Sequence, residues 1–242
     1  QKWKNAAPNN ARVQSDLIAA FESAGRDPLQ FMRDRWISSP ENAQWGIDYA
    51  RKLTEESNYT EAITVLESII QRHATNMEAY RLLANTALDN DEIDRAIEAY
   101  LGLYQLNRTD AGVSIELSKA YLRKAAYPNA LEWAETALQV SGQSGEAYYN
   151  RGEVYYNTAD ECTLDREDGV SQFADKLVFN MAYEDYIAAF NKGYTQAKKK
   201  ADFLEKNLIP TKGDWFLQEP SSRNFSASGE CYSWIKRTIT RP

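Results

Sequence analysis

Small and large apolar residues recur along this chain at helical spacing, and the whole pattern repeats every 34 residues. Ala62, Ala96 and Ala130 form one ladder, and twelve residues before each stands Ala50, Ala84 or Ser118. Counted in units 43–76, 77–110 and 111–144, position 7 is Tyr49, Leu83 and Leu117. Position 24 is Leu66, Tyr100 and Ala134, and position 27 is Ile69, Leu103 and Ala137. Each unit reads as two helices joined at Ser57-Asn58, Asn90-Asp91 or Ala125-Ala126. The small residues stand where two helices approach most closely, and the large ones fill the space on either side. A period of this length marks a unit that buries its apolar face only by stacking on its neighbours.

A fourth unit, 145–190, opens with Tyr148, Gly152 and Tyr155 on a helix expected to run to about Asn157. The register then breaks. It resumes in Asp175 to Phe190, where Ala182, Tyr183, Tyr186 and Ala189 match a second helix, so an insertion is expected over 159–174. A capping helix is expected over about 195–208, before Pro210. Residues 1–38 read as capping helices off the repeat register. In them, Val13, Leu17, Ile18, Ala20 and Phe21 are followed by Gly25, and Asp27-Pro28 opens a short helix through Trp36. Ser39-Pro40-Glu41 reads as the same device at the start of the first unit. The tail, 209–242, carries Trp215-Phe216, Trp234-Ile235 and a β-prone Thr238-Ile239-Thr240. It is expected to be extended and to fold back, packing its Trp and Phe on the last helices.

These positions resemble the tetratricopeptide repeat. The resemblance implies an all-α fold, a right-handed superhelix of helix–turn–helix repeats over 39–208, and a role in binding protein. Two departures stand out: the family favours Trp at position 4, where Gly46, Tyr80, Ser114 and Tyr148 stand, and Pro at position 32, where Ala74, Arg108 and Gly142 stand. The first helices of such units line a concave groove, with contacts implied at positions 2, 5, 6, 9, 12 and 13. Carried over, these include Ile47, Arg81, Asn85, Ile115, Lys119, Arg123, Tyr149, Asn150, Glu153 and Tyr156. Arg81, Asn85, Lys119, Arg123, Tyr149, Glu153 and Tyr156 are the candidate groove residues, since Arg and Tyr dominate binding hot spots. The tyrosines have a second reading, as packing between helices. The carboxylate clamp found in part of the family is not implied, because Glu116 and Glu146 stand where it needs Asn and Lys.

Charge and chemistry narrow the function. The net charge of −7 argues against nucleic acid as the main partner. Residues 192–242 are nevertheless basic, and the Lys198-Lys199-Lys200 run reads as a solvated helix face. No apolar run is long enough to span a membrane. The one histidine, His73, has no second histidine or cysteine cluster to make a zinc site. No nucleophile elbow, phosphate loop or metalloprotease motif occurs, so neither catalytic residue, metal nor cofactor is expected. Asp160, Glu161, Asp165, Glu167 and Asp168 read as a solvated loop.

Cys162 and Cys231 both fall in segments read as irregular. A bridge between them would close a loop of 69 residues, contribute about 4 kcal/mol, and need an oxidising compartment. The other reading is two unrelated free thiols. The chain opens at Gln1, which suits either a mature end left by a signal peptide or a trimmed chain. Glu161-Cys162-Thr163, Asp214-Trp215-Phe216 and Cys231-Tyr232-Ser233-Trp234-Ile235 are similar to the C-terminal region of certain exported bacterial tetratricopeptide-repeat proteins. That similarity implies a periplasmic or secreted place, against a cytoplasmic alternative, and favours the bridge. The expected function is a non-catalytic scaffold that holds a polypeptide segment within an exported assembly. The alternatives are an accessory domain of a longer enzyme and self-association.

Overall fold

A computed structural model describes residues 16, 19–21, 23–25, 27–167 and 169–242. Val13, Leu17 and Ile18 of the expected first helix, and Asp168, lie outside them. The described residues form two compact units, divided between Ala99 and Tyr100.

In the first unit, helices α1 (Pro28–Ser38), α2 (Ala43–Glu55), α3 (Tyr59–Arg72) and α4 (Met77–Asp89) follow one another, and α5 (Ile93–Leu106) begins. Ala50, Ala62, Ala84 and Ala96 are wholly buried. Asp27 caps α1 by accepting from the Leu29 N–H at 2.8 Å. The first repeat helix does not start at Ser39-Pro40. It starts at Ala43, where Asn42 accepts from the Trp45 N–H. The reason is periodic: Asn76, Asp110 and Ser144, each 34 residues on, cap the next first helices in the same way. Gly46 has a steric cause. A Cβ there would meet Ile69 Cδ1 at 2.7 Å and Trp36 Cε3 at 2.9 Å, so the indole of α1 occupies the space a large side chain would need. Phe21 stacks on Phe31, ring centroids 4.6 Å apart.

The second unit holds α6 (Ala111–Arg123), α7 (Tyr127–Val140), α8 (Gly145–Leu164), α9 (Phe173–Asn191) and α10 (Ala197–Asn207). Ser118 keeps the close approach of α6 and α7 while satisfying its hydroxyl, donating to the Ala130 carbonyl at 2.8 Å. Gly152 performs the same service between α8 and α9, where a Cβ would meet Tyr186 Cε1 at 2.8 Å. Helix α8 does not end near Asn157. It continues to Leu164 because Tyr155, Ala159 and Cys162 prolong its buried face. Cys162 is therefore helical and 7% exposed, not in an irregular segment. Its Sγ is bonded to that of Cys231, with Cα atoms 6.3 Å apart.

The tail is less extended than expected. It forms a short helix α11 (Lys212–Phe216), a 3-10 turn at Glu230–Tyr232, and an antiparallel pair of β1 (Asn224–Ser226) with β2 (Thr238–Thr240). Trp215 is buried in an edge-to-face cluster with Phe173 and Phe225, at 5.2 and 5.4 Å. Phe216 is not packed: it is 86% exposed. Tyr232, Ile235 and Ile239 join the core built by α8, α9 and α10. Two buried carboxylates anchor this region. Asp175 accepts from Arg166 at 2.6 Å and from the Tyr232 hydroxyl, and Asp185 accepts from Arg151 and Arg237.

Candidate functional site

Helices α6 and α8 wall a cavity of about 290 Å³ in the second unit. Lys119 and Leu122 come from α6; Glu146, Tyr149, Asn150 and Glu153 come from α8; Tyr194 closes it after α9. The i, i+3, i+4, i+7 spacing of 146, 149, 150 and 153 puts all four on one face of α8. Of the residues expected in the groove, Lys119, Tyr149 and Glu153 thus come together. Tyr156 lies one turn further along α8 and is half-buried, while Arg123 is exposed outside the cavity lining. Arg81 and Asn85 are exposed on α4, in the first unit, and are not among the lining residues. Two implied contact positions are core side chains instead: Ile47 and Ile115 are buried apolar residues and do not line the cavity.

Lys119, one of the cations expected in the groove, carries no unmatched charge. The Lys119 ammonium sits between Glu116 at 2.8 Å and Glu146 at 3.2 Å, so its charge is matched within the site. Burial lowers its pKa, but the two carboxylates outweigh this and hold it above the ordinary lysine value. Glu153 accepts from the Tyr186 hydroxyl at 2.7 Å and from the Lys200 ammonium. Burial, then the Glu153 carboxylate, push the phenols of Tyr149 and Tyr186 above the usual tyrosine range, so both stay neutral donors.

Asn150 is the exception to this satisfaction. It is 2% exposed, and its amide nitrogen has no hydrogen-bond partner. Buried polar groups are nearly always paired, so an unpaired N–H at a cavity wall is a donor waiting for an acceptor. Sequence reading also missed Lys200, Tyr186 and Tyr194. Lys198 does face outward, to Asp202, as a solvated helix face would. Lys200, two residues on, turns inward.

Comparison with known proteins agrees with this architecture. Residues 53–103 match the tetratricopeptide repeat family model. No curated protein matches the sequence. Among solved structures, two crystal structures of MamA are each 18% identical to this chain. One covers 75% of this chain and 96% of its own, with a TM-score of 0.57; the other covers 77% and 93%, with 0.58. MamA from Desulfovibrio magneticus RS-1, residues 41 to its end, is 13% identical over 78% of this chain and 97% of its own, with a TM-score of 0.56. At these identities the likeness concerns the fold. With the matched segment and the 34-residue ladder of buried alanines, it gives this chain the tetratricopeptide-repeat fold, the family model itself matching residues 53–103.

Proposed function

We propose that the second unit is a polypeptide-binding scaffold, and that the cavity between α6 and α8 receives an extended segment of the partner. The observation that carries this reading is the unpaired amide nitrogen of Asn150. A main-chain carbonyl of a bound segment supplies the acceptor it lacks. Leu122, Tyr149 and Tyr194 offer apolar surface beside it, which suits an aliphatic side chain of the same segment. The role we infer is binding.

The setting we infer is an exported assembly, in the periplasm or outside the cell. The Cys162–Cys231 bond supports this, since such bonds persist in oxidising compartments.

The test is an array of random-sequence peptides probed with the whole chain. Wild-type protein should select a set of peptides that Asn150→Leu, close in size but without the amide, no longer retains. Selection of the same set by both proteins would sink the reading.

A further inference from the structure

Lys200 stands out from the rest of its basic run. Its ammonium lies 5.5 Å from the ring centroid of Tyr149, 5.4 Å from that of Tyr156 and 5.7 Å from that of Tyr186. The Glu153 carboxylate closes the fourth side as its ion-pair partner. Three aromatic faces and one carboxylate around an ammonium make the arrangement by which proteins recognise alkylammonium ligands. The rings are held in place before any ligand arrives. Tyr149 packs on Tyr186 and Tyr194 at 5.4 and 4.8 Å, and Tyr156 packs on Phe179 at 5.8 Å.

As a purely structural contact this is an odd use of three tyrosines. The Lys200 side chain is 39% exposed, and an ion pair that open to water contributes about 0–1 kcal/mol. The cage also has an outlet. Tyr149 and Glu153 belong both to it and to the wall of the cavity that holds Asn150, so a group leaving the cage and a group entering the cavity share one surface. The lysine reaches the cage from α10, by a long flexible stem that can swing into solvent without moving the helix.

We propose that Tyr149, Tyr156, Tyr186 and Glu153 form a subsite for a lysine side chain of the bound segment, and that Lys200 occupies it in the free protein as an internal stand-in. This deepens the reading of the cavity as a polypeptide site and rests on it. A tethered ammonium competes at an effective concentration on the order of millimolar or above, so an incoming lysine binds well only when Lys200 yields. The stand-in therefore raises the threshold for partners without a well-placed lysine, and keeps the carboxylate paired while the site is empty.

The test uses the whole chain and small probes that contain no polypeptide, so its outcome is separate from that of the peptide array. Nα-acetyl-lysine methylamide is titrated into wild type, Lys200→Ala and Lys200→Arg, following the tyrosine ring resonances. Its norleucine counterpart, the same chain length without the ammonium, is the control. Lys200→Ala should bind the lysine probe at least about tenfold more tightly than wild type. Lys200→Arg should resemble wild type, since arginine refills the cage, and the norleucine probe should saturate none of them. Lys200→Ser repeats the comparison if Lys200→Ala lacks a cooperative thermal transition. Equal binding of the lysine probe by wild type and the vacated cage would overturn the proposal. Equal binding of the lysine and norleucine probes would do so as well.

Discussion

The guanidinium of Arg237, in the tail, donates to the buried Asp185 carboxylate at 2.9 Å, and the same carboxylate takes two hydrogen bonds from Arg151 at 2.7 Å. Asp185 is 1% exposed, so one side chain on α9 holds α8 and the tail together. Removing it leaves two guanidiniums in a half-buried place with no carboxylate between them. Asp185→Ala is expected to cost about 3–5 kcal/mol in chemical denaturation. A loss below 1 kcal/mol would mean that the cluster is dispensable.

The disulfide acts elsewhere. It closes a span of 69 residues and restricts mainly the unfolded chain. Replacing Cys162 and Cys231 together by serine should lower stability by about 4 kcal/mol while leaving the folded tail in place, because Tyr232 and Arg237 still bind Asp175 and Asp185. The Trp215 indole resonance should therefore keep its position in the double variant. Alkylation of the native protein without reductant should add no label.

Ser57, Asp91 and Ala125, again 34 residues apart, turn the first helix of each unit into the second with φ of 62°, 59° and 53°. Alanine has no side-chain group to ease this left-handed conformation, which costs an L-residue about 1–2 kcal/mol. Glycine removes that cost but loses about 0.5–1 kcal/mol of chain entropy. Ala125→Gly is thus expected to raise stability by about 0.5–1 kcal/mol. A fall in the denaturation midpoint would contradict it.

Acid should loosen the tail. Desolvation raises the Asp214 carboxyl, but hydrogen bonds from Lys176 Nζ and Thr211 outweigh it and hold the pKa down to about 2. Asp175 is lowered as well: burial opposes ionisation there, and bonds from Arg166 and Tyr232 overcome it. A carboxyl held below its unfolded value stabilises the fold above that value, and the contribution fades as pH falls through the folded one. The Trp215 resonance should therefore stay constant down to pH about 4 and shift between pH about 4 and about 2. A shift centred near pH 6 would point to other groups.

The alanine ladder was legible because small apolar residues at helix crossings hold their own period. The cap ladder of Asn42, Asn76, Asp110 and Ser144 holds the same period, but its first rung is hidden behind Ser39-Pro40, a stronger local start signal. The length of α8 was masked by Asp160, Glu161 and Asp165, whose charges hid the apolar face running through Ala159 to Cys162. The cavity was half legible. The repeat register placed Tyr149, Asn150 and Glu153 on one helix face, but it assigned Ile47 and Ile115 to the surface. Lys200 was out of reach, because the approach of α10 to the tyrosines of α8 and α9 is a tertiary fact with no local signature.

The most direct test of the polypeptide site is calorimetric titration of the tightest array peptide into wild type, Asn150→Leu and Leu122→Trp, the last filling the cavity from α6. Both substitutions should weaken binding by about tenfold or more, the loss expected for one well-made buried hydrogen bond or a blocked subsite, with thermal midpoints near that of wild type. Unchanged affinity in both folded variants would show that the partner binds elsewhere.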